Sequence, residues 1–274
     1  MRKYFWAVIL LSGLAPACSK SVTPAPPAPV ASFTLDGDTA SAVSFGTYDG
    51  YSLINNSTNV DSLRWDFGND STYTSKEVWL SYPKSGNYTL TLTVYNAGGK
   101  KSVMTKHISV YDRVIKSVVI VSLNMNSYGL YQSWGYPSFG KVNAWVGVQQ
   151  AFAGQSYVVQ SDGTFNAPFA YKSPVQQNVD STSVPITFAV PGRLVLDIPT
   201  LSMVGGSLGY GFNLYVQSSG NTYTLSSTYW AQSGPSFSTN AYNGSNTLNL
   251  SNTAFKLRTG GPGVEVDYIG DYEQ

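Results

Sequence analysis

The chain has 274 residues, with 16 Lys and Arg against 15 Asp and Glu and a single His, so the formal charge is +1 and only 11% of residues are charged. That balance excludes a nucleic-acid binder, which needs clustered basic residues to displace counterions, and it excludes an acidic disordered tail. Hydrophobic residues make up 42% and aromatics 14%, with 20 Tyr, in a background rich in Ser, Thr, Asn and Gly that predicts an all-β chain of short strands and tight turns, long enough for one or two domains.

Arg2 and Lys3 precede Tyr4 to Ala15, an apolar stretch of about twelve residues. It is too short to span a bilayer but of the right length for the apolar region of a signal peptide. It ends Leu14-Ala15-Pro16-Ala17-Cys18, and Cys18 is the only cysteine of the chain. The segment resembles a lipobox, although Ala15 and Pro16 are not its commonest residues. Residues 1–17 therefore read as a lipoprotein signal peptide and Cys18 as the lipidated residue, the alternative being an ordinary secretory signal with an incidental thiol. Several acyl chains hold a protein firmly on a membrane, where one holds it only marginally. Residues 18–29 form a Pro-rich linker, within SKSVTPAPPAPV, whose composition favours extended polyproline-like conformations that lift the folded part off the membrane. The expected location is the cell envelope, lipid-anchored at the outer membrane, with either face open.

Residues 30–112 show period-two patterning. Tyr88, Leu90, Leu92 and Val94 share one face of a strand and threonines alternate on the other, while Leu63, Trp65 and Phe67 repeat the pattern in a second strand. Asn96-Ala97-Gly98-Gly99 supplies a turn into a third strand from about Ser102 to Val110. Two such sheets packed on their apolar faces make a sandwich. The run Trp65-Asp66-Phe67-Gly68-Asn69-Asp70, followed by Tyr82-Pro83-Lys84-Ser85-Gly86-Asn87-Tyr88 and the alternating Thr89 to Val94, resembles the PKD domain, whose signature is W-D-F-G-D-G, then H-T-Y, then P-G-x-Y-x-V-x-L-x-V. Asn69-Asp70 stands for D-G, and Ser81 precedes Tyr82 where H-T is usual. The resemblance implies an immunoglobulin-like sandwich serving as an extracellular spacer or interaction module. Trp65 and Phe67 are expected in its core, and Asp66 is expected to turn the following loop. Asp36, Asp38, Asp66 and Asp70 have no EF-type spacing, so no calcium site is expected.

Residues 113–274 carry alternating segments at Lys116–Leu123, Val142–Val148, Val184–Ala189, Leu194–Ile198, Phe212–Val216, Tyr223–Ser227, Thr247–Leu250, Phe255–Arg258 and Val264–Tyr268. These predict a second β-sandwich in tandem with the first. The segment Ser117 to Val121, a Trp134-bearing loop, Lys141 to Val148 and Leu194 to Ile198 in that order faintly resemble a C2-like sandwich; a jelly roll gives the same strand pattern. Calcium-dependent members of that group cluster aspartates in their loops, and here only Asp197 sits at a comparable place.

Catalytic machinery is sparse in this composition. His107 lies in a strand without a second His or a G-x-S-x-G nearby, and zinc needs three or four Cys or His ligands, so no catalytic residue, metal site or cofactor is expected. A glycosidase pair such as Asp162 with Glu265 has no supporting pattern, and Glu265 and Asp267 are expected to face solvent without partners. The positive signal is aromatic: Tyr128, Tyr131, Trp134 and Tyr136 crowd one loop, Tyr229 and Trp230 another, and Trp145 lies opposite the apolar face of Val142, Ala144, Val146 and Val148. Exposed flat rings among Asn, Gln and Ser suit the C–H face and hydroxyls of a pyranose. Trp145, Tyr229, Trp230, Tyr131, Trp134 and Tyr136 are therefore the candidate ligand-binding residues; the alternative is that these rings plug the ends of the sandwich.

The leading functional expectation is a non-catalytic cell-envelope lipoprotein that binds extracellular glycan or another ligand through its second sandwich, with the first as a spacer. The alternative is a structural or protein-interaction lipoprotein, an accessory subunit of an outer-membrane assembly, and a hydrolase ranks third. The expected partners are a membrane, through the lipid anchor, and a polysaccharide or envelope protein. Metabolic labelling with an alkyne fatty acid should mark the full-length protein, and Cys18→Ser should abolish the label and move the chain out of the membrane fraction. A Cys18→Ser protein that still carries label would sink the anchoring reading.

Overall fold

A computed structural model describes residues 24–126, 129–133, 135–151, 158, 160, 164–196, 209–227, 236–239 and 254–274. Cys18 and the predicted strand Thr247–Leu250 lie outside them. Among the described residues no helix is long and apolar enough to cross a membrane.

The first sandwich packs two sheets. One consists of β1 (Phe33–Leu35), β3 (Tyr51–Asn55) and β6 (Val78–Leu80) in the order β1-β3-β6, all antiparallel. The other consists of β2 (Ala42–Gly46), β4 (Ser62–Asp66), β5 (Thr72–Tyr73), β7 (Gly86–Tyr95) and the first half of β8 (Lys101–Leu123), with β2 parallel to β8 and the rest antiparallel. The alternation read from Leu90, Leu92 and Val94 buries all three, and Trp65 and Phe67 join them in the core. The Trp65 ring meets Phe33 edge-on at 5.0 Å, and its Nε1 donates to the Ser75 carbonyl at 3.1 Å.

The Trp-Asp-Phe-Gly turn has a local cause. The Asp66 carboxylate accepts from the Gly68 amide at 2.9 Å, which closes an Asx turn and draws the chain back after β4. Gly68 has φ +71°, and a Cβ there would lie 2.8 Å from the Thr89 carbonyl oxygen, so glycine is required both for the conformation and for contact with β7. Tyr82 then donates its hydroxyl to the Phe67 carbonyl at 2.8 Å and stacks on Tyr88 at 4.1 Å. Lys106 is the unexpected core member: it is fully buried, its ammonium donates to the Ala40 and Asp38 carbonyls, and it lies 5.6 Å from the Phe33 ring centre. Burial pushes its pKa down, with the charge of Asp38 acting against that.

The second sandwich faces the sheet of β12 (Ile186–Val195), the second half of β8, β17 (Val264–Glu273), β16 (Ala254–Gly261) and β15 (Ser236–Thr239) against a sheet of β9 (Val142–Ala151), β13 (Gly209–Ser218) and β14 (Asn221–Ser227). β10 (Phe169–Lys172) and β11 (Gln176–Val179) share the free edge of β9. The predicted segments Val184–Ala189 and Leu194–Ile198 both contribute to one strand, β12, whose ladder with β8 shifts between Ala189 and Leu194 across Pro191-Gly192, while Asp197 and Ile198 lie outside the described residues. Val142, Ala144, Val146 and Val148 from one sheet meet Val118, Ile120, Leu257, Val266 and Tyr268 from the other.

β8 crosses the expected boundary at residue 112 without a break, 23 residues in a single strand. Its ladder with β17, which begins at Asp112, carries a bulge: β17 pairs Gly270 with Ile115 and Ile269 with Ser117, leaving Lys116 as the extra residue. The crossing is clamped on both sides. Arg113 donates to the Thr47 carbonyl, pairs with Asp49 and lies over the Tyr272 ring, 5.4 Å from its centre. Asp112 accepts from Ser85 and from Arg193, each at 2.9 Å, and Gln274 at the far end of β17 donates to the Gly86 and Val110 carbonyls at 3.3 Å. Arg113→Ala leaves the Thr47 carbonyl and the Asp49 carboxylate without that partner at a half-buried site, and urea unfolding should show a loss of about 2 kcal/mol. An unchanged midpoint would show that the clamp contributes nothing.

Candidate aromatic and amide site on the second sandwich

The predicted ring Trp145 organises the outer face of the β9–β13 sheet. Residues alternate along a strand, so with Val142, Ala144, Val146 and Val148 turned into the core, Trp145, Gly147 and Gln149 point the other way. On β13 the same alternation turns Phe212, Leu214 and Val216 inward and Gly211, Asn213 and Tyr215 outward. The ladder sets Tyr215 opposite Trp145, Asn213 opposite Gly147 and Gly211 opposite Gln149. Trp145 and Tyr215 stack at 5.6 Å with ring planes 21° apart, and Phe165 completes a small buried cluster with them. Gly147 leaves space for Phe169 from β10: a Cβ there would lie 2.5 Å from the Phe169 ring. Phe169 meets Tyr215 edge-on at 6.2 Å and keeps 38% of its surface exposed. The exposed Lys172 places its ammonium 5.4 Å from the centres of both Trp145 and Phe169.

Gln149 ties this face together. Its fully buried amide accepts from Asn213 Nδ2 at 2.8 Å and from the Tyr215 hydroxyl, and it donates to the Phe165 and Ala167 carbonyls at 2.9 and 2.6 Å. Both ends of the amide are therefore saturated, as burial of such a group demands. The carbonyls it binds belong to the connection between β9 and β10, which is also closed by Gln150 N donating to the Pro168 carbonyl at 3.0 Å and by paired bonds between Val158 and Asn166. Trp145 Nε1 and Asn213 Oδ1 are buried without a hydrogen-bond partner among the described residues.

The predicted ligand residues divide. Trp145 is only 6% exposed and is not a surface ring, because the β9–β10 connection covers the sheet face that the strand pattern left open. Tyr131 is fully buried, its hydroxyl donating to the Leu225 carbonyl at 2.7 Å; half-buried Tyr136 stacks 5.9 Å from it and donates to the Thr224 carbonyl at 3.2 Å. Both rings close the end of the sandwich around the one-turn helix α1 (Leu130–Ser133) and attach it to β14, so they correct the expectation of a loop-borne platform. Burial pushes both phenols up. Trp134, Tyr229 and Trp230 lie outside the described residues, as does Tyr128.

Phe169, Lys172, Gln149 and Asn213 were not singled out in the sequence. The available signal was Gly147 and Gln149 continuing the Trp145 face, since a glycine and an amide between valines mark a second covered face. The carboxylates also depart from expectation. Asp267 is buried, not solvent-facing, and takes a bidentate pair from Arg258 at 2.6 and 2.8 Å, with Lys256 at 3.6 Å and Glu265 on the same Arg258. The ladder sets Arg258 directly opposite Asp267. Burial acts to raise the Asp267 pKa, but the hydrogen bonds and charge of Arg258, aided by Lys256, hold it below the ordinary carboxylate range. Among the described residues no three His, Cys, Asp or Glu side chains gather to hold a metal ion, and His107 is exposed on β8.

Residues 26–110 match the family model of the PKD domain. The first sandwich is accordingly similar to two solved PKD domains. The PKD1 domain of the Vibrio cholerae metalloprotease PrtV is 34% identical over 30% of this chain and 96% of its own, with a TM-score of 0.26. The PKD1 domain of Vibrio anguillarum Epp is 31% identical over 31% of this chain and 95% of its own, with a TM-score of 0.26. A structure described as showing the promiscuous specificity of carbohydrate-binding modules of the β-sandwich superfamily is 11% identical over 91% of this chain and 99% of its own, with a TM-score of 0.29, too low to bear on the second sandwich. No curated protein sequence matches the chain.

The amide network gives a direct test. Gln149→Leu keeps the shape but strips partners from Asn213, Tyr215 and two carbonyls, and should cost about 3 kcal/mol in urea unfolding. A loss below about 0.5 kcal/mol would show that the network does not hold this face.

Proposed function

We propose that this protein is a non-catalytic, lipid-anchored protein of the cell envelope that binds extracellular glycan through the outer edge of its second sandwich, with the PKD domain holding that sandwich away from the membrane. The observation that carries the reading is the aromatic stack Trp145–Tyr215–Phe169, which ends at solvent in Phe169 with the Lys172 ammonium over it. A half-exposed ring backed by rigid aromatics loses little conformational freedom when a sugar packs on it. Along the same edge β11 exposes Gln176, Gln177 and Asn178, amides that can both donate to and accept from hydroxyls. The PKD match supports an extracytoplasmic setting, and the Cys18 segment supports the anchor.

The expected roles separate by exposure. Phe169→Ala and Lys172→Ala should weaken retardation of the protein in polysaccharide-containing native gels about fivefold while leaving its melting temperature within about 2 °C, whereas Trp145→Ala should lower stability first. Variants at Phe169 and Lys172 that migrate like the parent through every retarding gel would refute binding at this edge.

A further inference from the structure

The PKD domain carries an aromatic feature that a spacer does not require. Trp79, on edge strand β6, is 66% exposed, the most exposed large apolar side chain among the described residues. An ideal Cβ on Gly50 would lie 2.3 Å from both Cζ2 and Nε1 of Trp79 and 2.4 Å from Cε2, so the indole rests on the bare backbone of Gly50. No side chain larger than hydrogen at residue 50 is compatible with that seat. Gly50 is not among the positive-φ glycines, so its backbone conformation does not itself call for glycine.

The surroundings specify the ligand. The ladder sets Ser52 directly opposite Trp79, and Thr34 opposite Ile54, on the outward face of the three-stranded sheet. A cleft of about 290 Å³ lies beside Ser52, the cross-strand neighbour of Trp79, and is lined by Ser52, Leu53, Ile54, Asn55, Lys76 and Glu77. That lies near the lower end of ligand-pocket volumes, suited to a single sugar unit. In β1, β3 and β6 the exposed large apolar side chains are Trp79 and Ile54, far short of the ~800 Å² per partner that a stable protein interface buries. The carboxylate of Glu77 beside Lys76 and that of Asp36, which accepts from Ser52 N at 2.8 Å, disfavour an anionic lipid surface. One flat apolar ring bordered by hydroxyl, amide and charged groups matches a pyranose, which is apolar on its C–H face and polar at its rim.

We infer that Trp79, seated on Gly50, is the stacking platform of a second glycan site, on the PKD domain, that takes the pyranose rings of a neutral polysaccharide. This site shares no residue with the β10–β11 edge and stands or falls separately from it. The test is native affinity electrophoresis of the full-length protein, in a non-glycosidic detergent, through gels containing glucan, xylan, mannan or galactan. At least one polysaccharide should retard the parent, and Trp79→Ala should weaken that retardation about tenfold with the melting temperature within about 2 °C of the parent. Gly50→Ala, which keeps the indole but displaces it, should weaken retardation likewise; if it unfolds the domain, Trp79→Ala alone decides. Absence of retardation by all four, or equal retardation of Trp79→Ala and parent, overturns the proposal. Retardation lost in Phe169→Ala but kept in Trp79→Ala would support the edge of the second sandwich and overturn this site.

Discussion

The ladder of β8 with its neighbours is the constraint on which both halves of the molecule depend. Its first half pairs with β2 and β7 inside the PKD sandwich, and its second half pairs with β12 and β17 inside the other. A strand held in ladders from end to end cannot bend at will, because every residue that leaves a ladder strands an amide or a carbonyl. The change of partner falls between Val110 and Val114, where Arg113 and Asp112 make their ion pairs. The PKD sandwich and the second sandwich share the continuous backbone of β8.

The second sandwich solves a problem that its composition creates. Its β9–β13 sheet is covered on both faces, by the opposing sheet on one side and by the β9–β10 connection on the other. The first face is filled by valines, leucines and aromatics, while the second contains a glutamine, an asparagine and two large rings. Burying an amide without partners costs several kcal/mol, and here Gln149 meets its full complement of four. Two of those bonds, to the Phe165 and Ala167 carbonyls, fix the connection above the sheet, and the other two tie Gln149 to Asn213 and Tyr215 of β13. Phe169 reaches water because Gly147 lets it lie close and because β10 is an edge element.

The surplus of aromatic residues thus serves two ends. Trp65, Tyr82, Tyr131, Tyr215 and Tyr268 are buried completely and hold cores together, with phenols pushed upward by burial at Tyr82, Tyr131 and Tyr268. Trp79 and Phe169 remain in contact with solvent, each held by a glycine that gives its ring a seat on backbone, Gly50 for one and Gly147 for the other.

Much of this was legible from the chain of residues. Period-two alternation located β7, β9, β13, β16 and β17 and the inward faces of β7 and β9, because a strand with one apolar row admits only one orientation to a core. The Trp65 to Gly68 turn was legible because its chemistry is local: an Asp that reaches its own backbone and a Gly that must occupy positive φ. What lay beyond reach depended on pieces distant in sequence. Alternation cannot show whether the opposite face of a strand meets water or another segment, and so Trp145 and Tyr131 looked available when folding buries them. Nor could it reveal that Arg258 and Asp267 face each other across a hairpin ladder, or that Val114 and Ile115 continue one strand through a domain boundary. Composition and pattern determined the class of fold and which residues seek a core; only the tertiary structure decided which rings a second layer covers, because covering depends on where the chain returns.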